Sequence, residues 1–168
     1  FLTLADITDS GGINGGRQDL AERFREYIDR RITERFTLDE ASKAFHVSKR
    51  HLIRVFKERY GTTPGAYHTE AKFTAACRYL EENLEFARLI INNNVDPAFA
   101  HKLFAMDSLK ESARKMLSGR NSEAELAYVY NFLTFGAFRM VCVWLNKEER
   151  EPPDLFAAFL YRVLYSKI

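Results

Sequence analysis

FTLDEASKAFHVSKRHLIRVFKERYGTTPGAY, residues 36–67, is the stretch that decides the fold, and its central helix is predicted to run from Ser48 to about Tyr60. Ser48 marks the start, because a serine hydroxyl accepts a hydrogen bond from a free backbone N–H of the first turn. Gly61 marks the end, since glycine readily takes the left-handed conformation that closes a helix. Pro64 then begins the next helix. The central helix is therefore short and bounded at both ends.

The two sides of this helix differ in chemistry. At about 100° per residue, its apolar and charged side chains fall on opposite faces. The apolar face carries Leu52, Val55 and Phe56. A shorter helix at about residues 37–45 precedes it, and His46-Val47 forms the turn. The pattern predicts a helix-turn-helix.

Basic residues dominate the outer face of this motif. Between Lys43 and Arg59 the chain has six lysines and arginines against one acid, Glu58. A solvated helix normally mixes both signs, so a one-signed face opposite an apolar one predicts a polyanionic partner, double-stranded DNA. The charge count alone is equally compatible with an ordinary soluble basic helix.

Residues 17–82 resemble the first helix-turn-helix subdomain of the AraC/XylS family of bacterial transcription regulators. The resemblance rests on FHVSKRHLIRVFK and on GTTPGAYHTEAKFTAACRYLEE, which is similar to the family's linker helix, with Lys72 in place of the usual Arg. It implies base readers at Arg50, Ile53 and Arg54, and only the two arginines can read bases through hydrogen bonds. The family's second helix-turn-helix does not appear. The candidate DNA-binding residues are Ser48, Lys49, Arg50, His51, Ile53, Arg54 and Lys57.

Length and charge divide the chain into unlike halves. Its 168 residues, 46% of them hydrophobic, suffice for one sizeable or two small globular domains. Residues 17–78 contain 14 Lys/Arg and 9 Asp/Glu, a net charge of +5, whereas residues 79–168 contain 11 and 12, a net charge of −1. The two parts are therefore expected to have different roles.

No pattern of catalytic or metal-binding residues stands out. The four histidines and two cysteines show no metal-ligand spacing, so no metal and no cofactor are expected. Cys77 and Cys142 are predicted to be reduced, buried thiols. Ser48 lacks the surroundings of a nucleophile. We therefore predict that the chain is not an enzyme.

The second half is predicted to be entirely helical, which makes the fold class all-α. Expected helices lie at about 84–91, 97–105, 108–117, 122–146 and 153–165. The fourth, containing AELAYVYNFLTFGAFRMVCVWLN, is apolar on nearly all sides. A buried central helix is favoured over a membrane span, because Asn131, Thr134 and Arg139 interrupt it. Gly136 in its middle is expected to allow another helix to approach closely.

Residues from about Tyr79 onward resemble the C-terminal effector and dimerisation domain of TetR-family regulators, through YLEENLEFARLIINNN and ELAYVYNFLTFGAFRMVCVWLNKEEREPPDLFAAFLYRVL. The resemblance implies that the last two helices pair with a second subunit and that the domain encloses a small-molecule pocket. An ordinary core or dimer interface is the simpler account of its aromatic residues. The candidate pocket residues are Phe104, Tyr128, Phe132, Phe135 and Trp144.

Together these observations predict a flexible segment at 1–16, a helix-turn-helix DNA-binding domain at 17–82 and a helical ligand-binding and dimerisation domain at 83–168. The predicted function is a bacterial transcription regulator, cytoplasmic and nucleoid-associated, that binds DNA as a homodimer, responds to a small apolar effector and has no membrane role. The alternative is a helical protein-interaction module without DNA binding, in which Tyr130, Phe138 and Trp144 face a partner.

Overall fold

The computed structural model describes residues 11–93, 107–117 and 122–165, and within these ranges it contains eight helices and no strand. The all-α prediction is therefore confirmed. The helices are α1 (Gly11–Asp29), α2 (Leu38–Phe45), α3 (Lys49–Tyr60), α4 (Pro64–Glu82), α5 (Leu84–Asn92), α6 (Asp107–Met116), α7 (Glu123–Asn146) and α8 (Pro153–Tyr165).

Most helix limits agree with the sequence pattern, and α1 differs most. It begins at Gly11 and ends at Asp29, whereas the pattern predicted a helix from Arg17 to Arg35. All four glycines of residues 11–16, which were expected to form a flexible joint, thus lie within α1. The helix expected at 97–105 lies outside the described residues.

The chain forms two compact units, Phe1–Ala71 and Lys72–Ile168, and the division falls within α4. The core of the first unit is aromatic. Phe24 of α1 is 1% exposed, and its ring centroid lies 5.5 Å from that of Phe45 and 5.6 Å from that of Phe56. Burial of these large rings is what holds α1 behind α2 and α3.

The second unit is built around α7, which contacts α5, α6 and α8. Trp144 of α7 stacks on Phe156 of α8, with ring centroids 4.7 Å apart and planes inclined by 3°. Its Nε1–H donates to the Glu151 carbonyl at 2.9 Å, so both its apolar body and its polar atom are satisfied internally.

Two suggestions about α7 do not agree with the structure. Under the alternative of a protein-interaction module Trp144 would face a partner, but it is 1% exposed because α8 covers it. Gly136 was expected to allow a close helix approach, but a Cβ atom placed there meets nothing within 4 Å among the described residues. Phe138 is partly buried against the same core, so it is not a free contact surface either.

Candidate nucleic-acid interface

The turn between α2 and α3 is fixed by local hydrogen bonds. His46 ends α2 in the left-handed conformation, with φ 54°, and the Val47 N–H donates to the Ser42 carbonyl at 3.2 Å. The Ser42 hydroxyl donates to the Val47 carbonyl at 2.6 Å. Ser48 then caps α3, since its hydroxyl accepts from the His51 N–H at 3.2 Å. The geometry of this short turn therefore orients α3 against α2.

The predicted limits and register of α3 are confirmed. Gly61 closes the helix with φ 71°, and its N–H donates to the Lys57 carbonyl at 2.9 Å. Leu52, Val55 and Phe56 are all buried, at 3% exposure or less. Because these three residues are buried, the basic face on the other side of α3 is exposed to solvent.

The predicted DNA-binding residues share this outer face of α3 and its start. Ser48, Lys49, Arg50, Arg54 and Lys57 are exposed, and His51 and Ile53 are half-buried. We call this set the α3 outer face. The structure brings all seven residues together on one surface of the first unit.

The basic side chains of the α3 outer face differ in their partners. Lys49 Nζ lies 2.5 Å from Asp39 Oδ1 of α2. The Arg54 Nη2 atom lies 3.1 Å from His51 Nδ1. The side chains of Arg50 and Lys57 form no ion pair or hydrogen bond within the described part of the chain. Two of the cations are thus free to meet an anionic ligand without first leaving a partner.

Asp39 is a neighbour of this surface that the sequence pattern did not single out. It precedes Lys49 by ten positions, and the ion pair depends on how α2 and α3 cross, so no local spacing could indicate it. Because both side chains are more than half exposed, the pair contributes little to stability.

The start of α4 is tied to the end of α1 next to this motif. The Tyr67 hydroxyl donates to Asp29 Oδ1 at 2.8 Å. Burial, and then this hydrogen bond, raises the pKa of Tyr67 to about 12. The His68 ring Nε2 lies 3.2 Å from the Arg31 carbonyl, which can only accept, so Nε2 carries the proton. These contacts fix the start of α4 against the C-terminal end of α1.

The predicted pocket residues are dispersed on the second unit. Tyr128 and Phe132 are each 73% exposed, Phe135 is 41% exposed, and Trp144 lies in the core. Phe104 lies outside the described residues. These aromatic residues do not surround a common cavity in the described part of the chain.

A groove of about 610 Å³ opens instead between α7 and α8. Leu155 and Phe159 form part of its wall from α8, and their spacing of four residues was the sequence signal that could have revealed it. Trp144 is the one predicted pocket residue that it includes. Its lining residues are Gly136, Arg139, Met140, Val143, Trp144, Lys147, Glu151, Leu155, Phe156 and Phe159.

By length and composition alone α7 could cross a membrane, and 28% of its most apolar window is buried inside the protein. It is the central helix of the second core, and seven of its residues are buried. Among the described residues, no group of three or more His, Cys, Asp or Glu side chains is placed to hold a metal ion.

A helix-turn-helix with an exposed basic face, followed by a separate helical unit, defines the class of the protein as a transcription regulator. A sequence-family model for the C-terminal region of TetR-type transcriptional regulators matches residues 67–166, and the chain belongs to that family. Residues 28–69 match the model for bacterial regulatory helix-turn-helix proteins of the AraC family. Both resemblances found in the sequence are thereby confirmed. Searches of curated proteins and of solved structures gave no match.

These regulator families imply binding to DNA, and they suggest a non-enzymatic, cytoplasmic protein. The AraC-type match is confined to the first unit, and the TetR-type match covers the second as far as residue 166. The chain thus combines the DNA-binding motif of one regulator family with the C-terminal region of another.

Proposed function

We propose that this regulator binds duplex DNA by placing the α3 outer face in the major groove. The observation that carries the proposal is the separation of chemistry on α3, in which the apolar face is buried and the opposite basic face is exposed. In this arrangement Arg50 and Arg54 read base edges, and Lys49 and Lys57 contact phosphates. We assign DNA binding to residues 17–82.

The experiment is sedimentation of the chain with random duplex DNA at low and moderate salt. Binding through several phosphates weakens steeply as the salt concentration rises, whereas binding between apolar protein surfaces does not. A complex that is insensitive to salt, or no complex at all, would contradict the proposal and favour the protein-interaction module.

Single substitutions separate the two kinds of contact. Replacing Arg54 with Ala should cost about 1 to 3 kcal/mol on preferred sequences and relax the preference at one base pair. Replacing Lys57 with Ala should weaken binding to all sequences about equally. Arg30→Ala is the matched control, because it removes the same charge from a residue that pairs with Glu26 away from α3. It should change neither property.

We further propose that the second unit, residues 83–168, makes the protein a homodimer. One short helix makes few DNA contacts, so selective binding needs two motifs. Exposed apolar side chains supply a surface for a second copy, with Val143 on α7 50% exposed and Leu155 and Phe159 on α8 65% and 47% exposed. We call these three residues, with the groove beside them, the α7–α8 face.

We also propose that the protein responds to a small apolar effector bound in the groove between α7 and α8. The lining of the groove between α7 and α8 is mostly apolar, which suits such a molecule. An effector bound there touches both helices of the proposed interface, so it changes dimer stability and, through it, DNA affinity. Trp144, the chain's single tryptophan, lies on the groove wall.

That tryptophan provides the test for effector binding. Energy transfer from Trp144 to an apolar dye, anilinonaphthalene sulfonate, should appear on mixing and decrease in Val143→Glu, which puts a carboxylate beside the groove. Phe86→Glu, on α5, is the control that should leave the transfer unchanged. Equal transfer in all three proteins would contradict a site in this groove.

A further inference from the structure

One side-chain contact within the α3 outer face has a chemical requirement. Arg54 Nη2 and His51 Nδ1 are 3.1 Å apart, and the two residues are one helical turn apart on the same face. A guanidinium group can only donate hydrogen bonds. The contact therefore requires a neutral imidazole with a bare Nδ1 and its proton on Nε2.

This hydrogen bond restricts the rotamers of Arg54 but leaves most of its N–H donors available. An exposed arginine samples many rotamers, and ordering them on binding lowers affinity. The bond to His51 uses one of the five N–H donors of Arg54 and leaves four. Bidentate contact with the O6 and N7 atoms of a guanine needs two of them. Arg54 is thus partly ordered before DNA arrives and still able to read a base.

Two acidic groups on the adjacent helices pair with cations other than Arg54. Asp39 of α2 pairs with Lys49 at 2.5 Å, and Glu22 of α1 pairs with Arg59 at 3.3 Å. The guanidinium group of Arg50, on the same face as Arg54, has no hydrogen-bond partner within the described residues. Arg54 therefore has a histidine partner, whereas the side chain of Arg50 does not, and Arg50 serves as an internal comparison.

We propose that His51 is a positioning residue for base readout, and that its Nδ1 orients the Arg54 guanidinium toward the base edge before DNA binds. The inference rests on the proposed function of α3. His51 acts here through Arg54 rather than as a reader itself. It increases discrimination at the base pair that Arg54 contacts and has no effect on the base pair that Arg50 contacts.

The experiment selects bound molecules from a pool of randomised duplex DNA and sequences them. The proteins are the wild type, His51→Ala, Arg54→Ala, the double variant and His51→Asn, whose side-chain oxygen can accept where Nδ1 does. Arg54→Ala identifies the base position that Arg54 reads. Circular dichroism and urea unfolding of each protein establish that the variants remain folded.

His51→Ala should reduce the preference at the Arg54 position by roughly two- to tenfold, the effect of one hydrogen bond. The preference at the Arg50 position should stay unchanged, and His51→Asn should recover most of the loss. In the Arg54→Ala background, His51→Ala should change the preference less than twofold, because the two residues act as one unit.

Three results would overturn the inference. Equal effects of His51→Ala with and without Arg54 would show that the histidine acts independently. A uniform loss on all sequences would make it a phosphate contact. Both results would leave the proposed function of α3 intact, whereas absence of salt-sensitive binding by the wild type would remove both proposals.

Discussion

Two helices of the first unit end at residues with positive φ, and these residues differ in kind. Gly61, with φ 71°, closes α3, and His46, with φ 54°, closes α2. The left-handed conformation costs an ordinary L-residue roughly 1 to 2 kcal/mol and costs glycine almost nothing. The same backbone conformation is therefore relaxed at one helix end and strained at the other.

Opposite substitutions at these positions should have opposite effects on stability. Gly61→Ala should lower the free energy of unfolding by about 1 kcal/mol, from backbone strain alone, because a Cβ atom there meets nothing within 4 Å. His46→Gly should raise it by up to about 1 kcal/mol, reduced by the greater freedom of glycine in the unfolded chain. Urea midpoints at constant m-value measure both effects. Effects of the same sign would contradict the strain assigned to His46.

The two cysteines provide a prediction about accessibility. Burial, reinforced by the negative charge of Asp154, raises the pKa of Cys77 to about 12, and burial also raises the pKa of Cys142. Both thiols therefore stay protonated at neutral pH and should react with a disulfide reagent only after unfolding. An exposed cysteine introduced as Glu149→Cys should react at once. Fast reaction of a native thiol would indicate that α4 or α7 opens locally.

At the scale of elements, the C-terminal end of α7 is held by polar groups from α5. Arg88 Nε donates to the Leu145 carbonyl at 2.8 Å and Nη2 to the Lys147 carbonyl at 3.4 Å, carbonyls that lack partners within the helix. Asn92 and Asn146 exchange amide hydrogen bonds at 3.1 and 3.2 Å. The basic group also lies at the negative end of the helix dipole.

Removing this connection should destabilise the second unit. Arg88→Ala should cost about 1 to 2 kcal/mol, since the Leu145 carbonyl loses a charged donor at a side chain that is only 30% exposed. The Lys147 carbonyl still accepts from Arg150 Nη1 at 3.2 Å. Arg114→Ala is the control, because that arginine forms only an exposed pair with Glu111 and should cost under about 0.5 kcal/mol. Thermal unfolding compares the two. Equal costs would mean that Arg88 contributes no more than a surface charge.

Features encoded within a few residues could be predicted from the sequence. Ser48 and Gly61 fixed the limits of α3, because capping depends on the residue itself and its immediate neighbours. The capping box of Ser122 and Glu125 at the start of α7 is likewise a local feature, formed by residues three positions apart. The basic face of α3 followed from the position of Leu52 and its apolar neighbours. The limits of α3 and the position of its basic face could therefore be predicted from neighbouring residues alone.

Features that depend on contact between distant residues could not be predicted. Trp144 is buried by Phe156, which lies on another helix, so its own helix gives no sign of which neighbour covers it. The contact of Lys49 with Asp39 likewise joins two helices. The spacing of Leu155 and Phe159 indicates one wall of the groove on α8, but not which helix lies opposite it. On a helix that is apolar on nearly all sides, periodicity does not separate the core face from an exposed one.

At the scale of the whole molecule, the assembly proposed for DNA binding depends on the α7–α8 face. Leu155→Glu and Phe159→Glu should each raise the dimer dissociation constant by at least about a hundredfold, because an isologous interface contains two copies of a buried, unpaired carboxylate. Both residues are exposed in the single chain, so its helical content should not change. Trp144→Glu should unfold the second unit instead.

Sedimentation over a concentration series measures this effect, and circular dichroism checks folding. Phe86→Glu is the matched control, because Phe86 is 62% exposed on α5, outside the α7–α8 face. Loss of the dimer should also weaken DNA binding, since two linked α3 helices bind with a higher effective concentration than one. A dimer that survives both substitutions on α8 but not Phe86→Glu would place the interface on α5. A wild-type chain that stays monomeric when bound to DNA would exclude dimerisation as the source of selective binding.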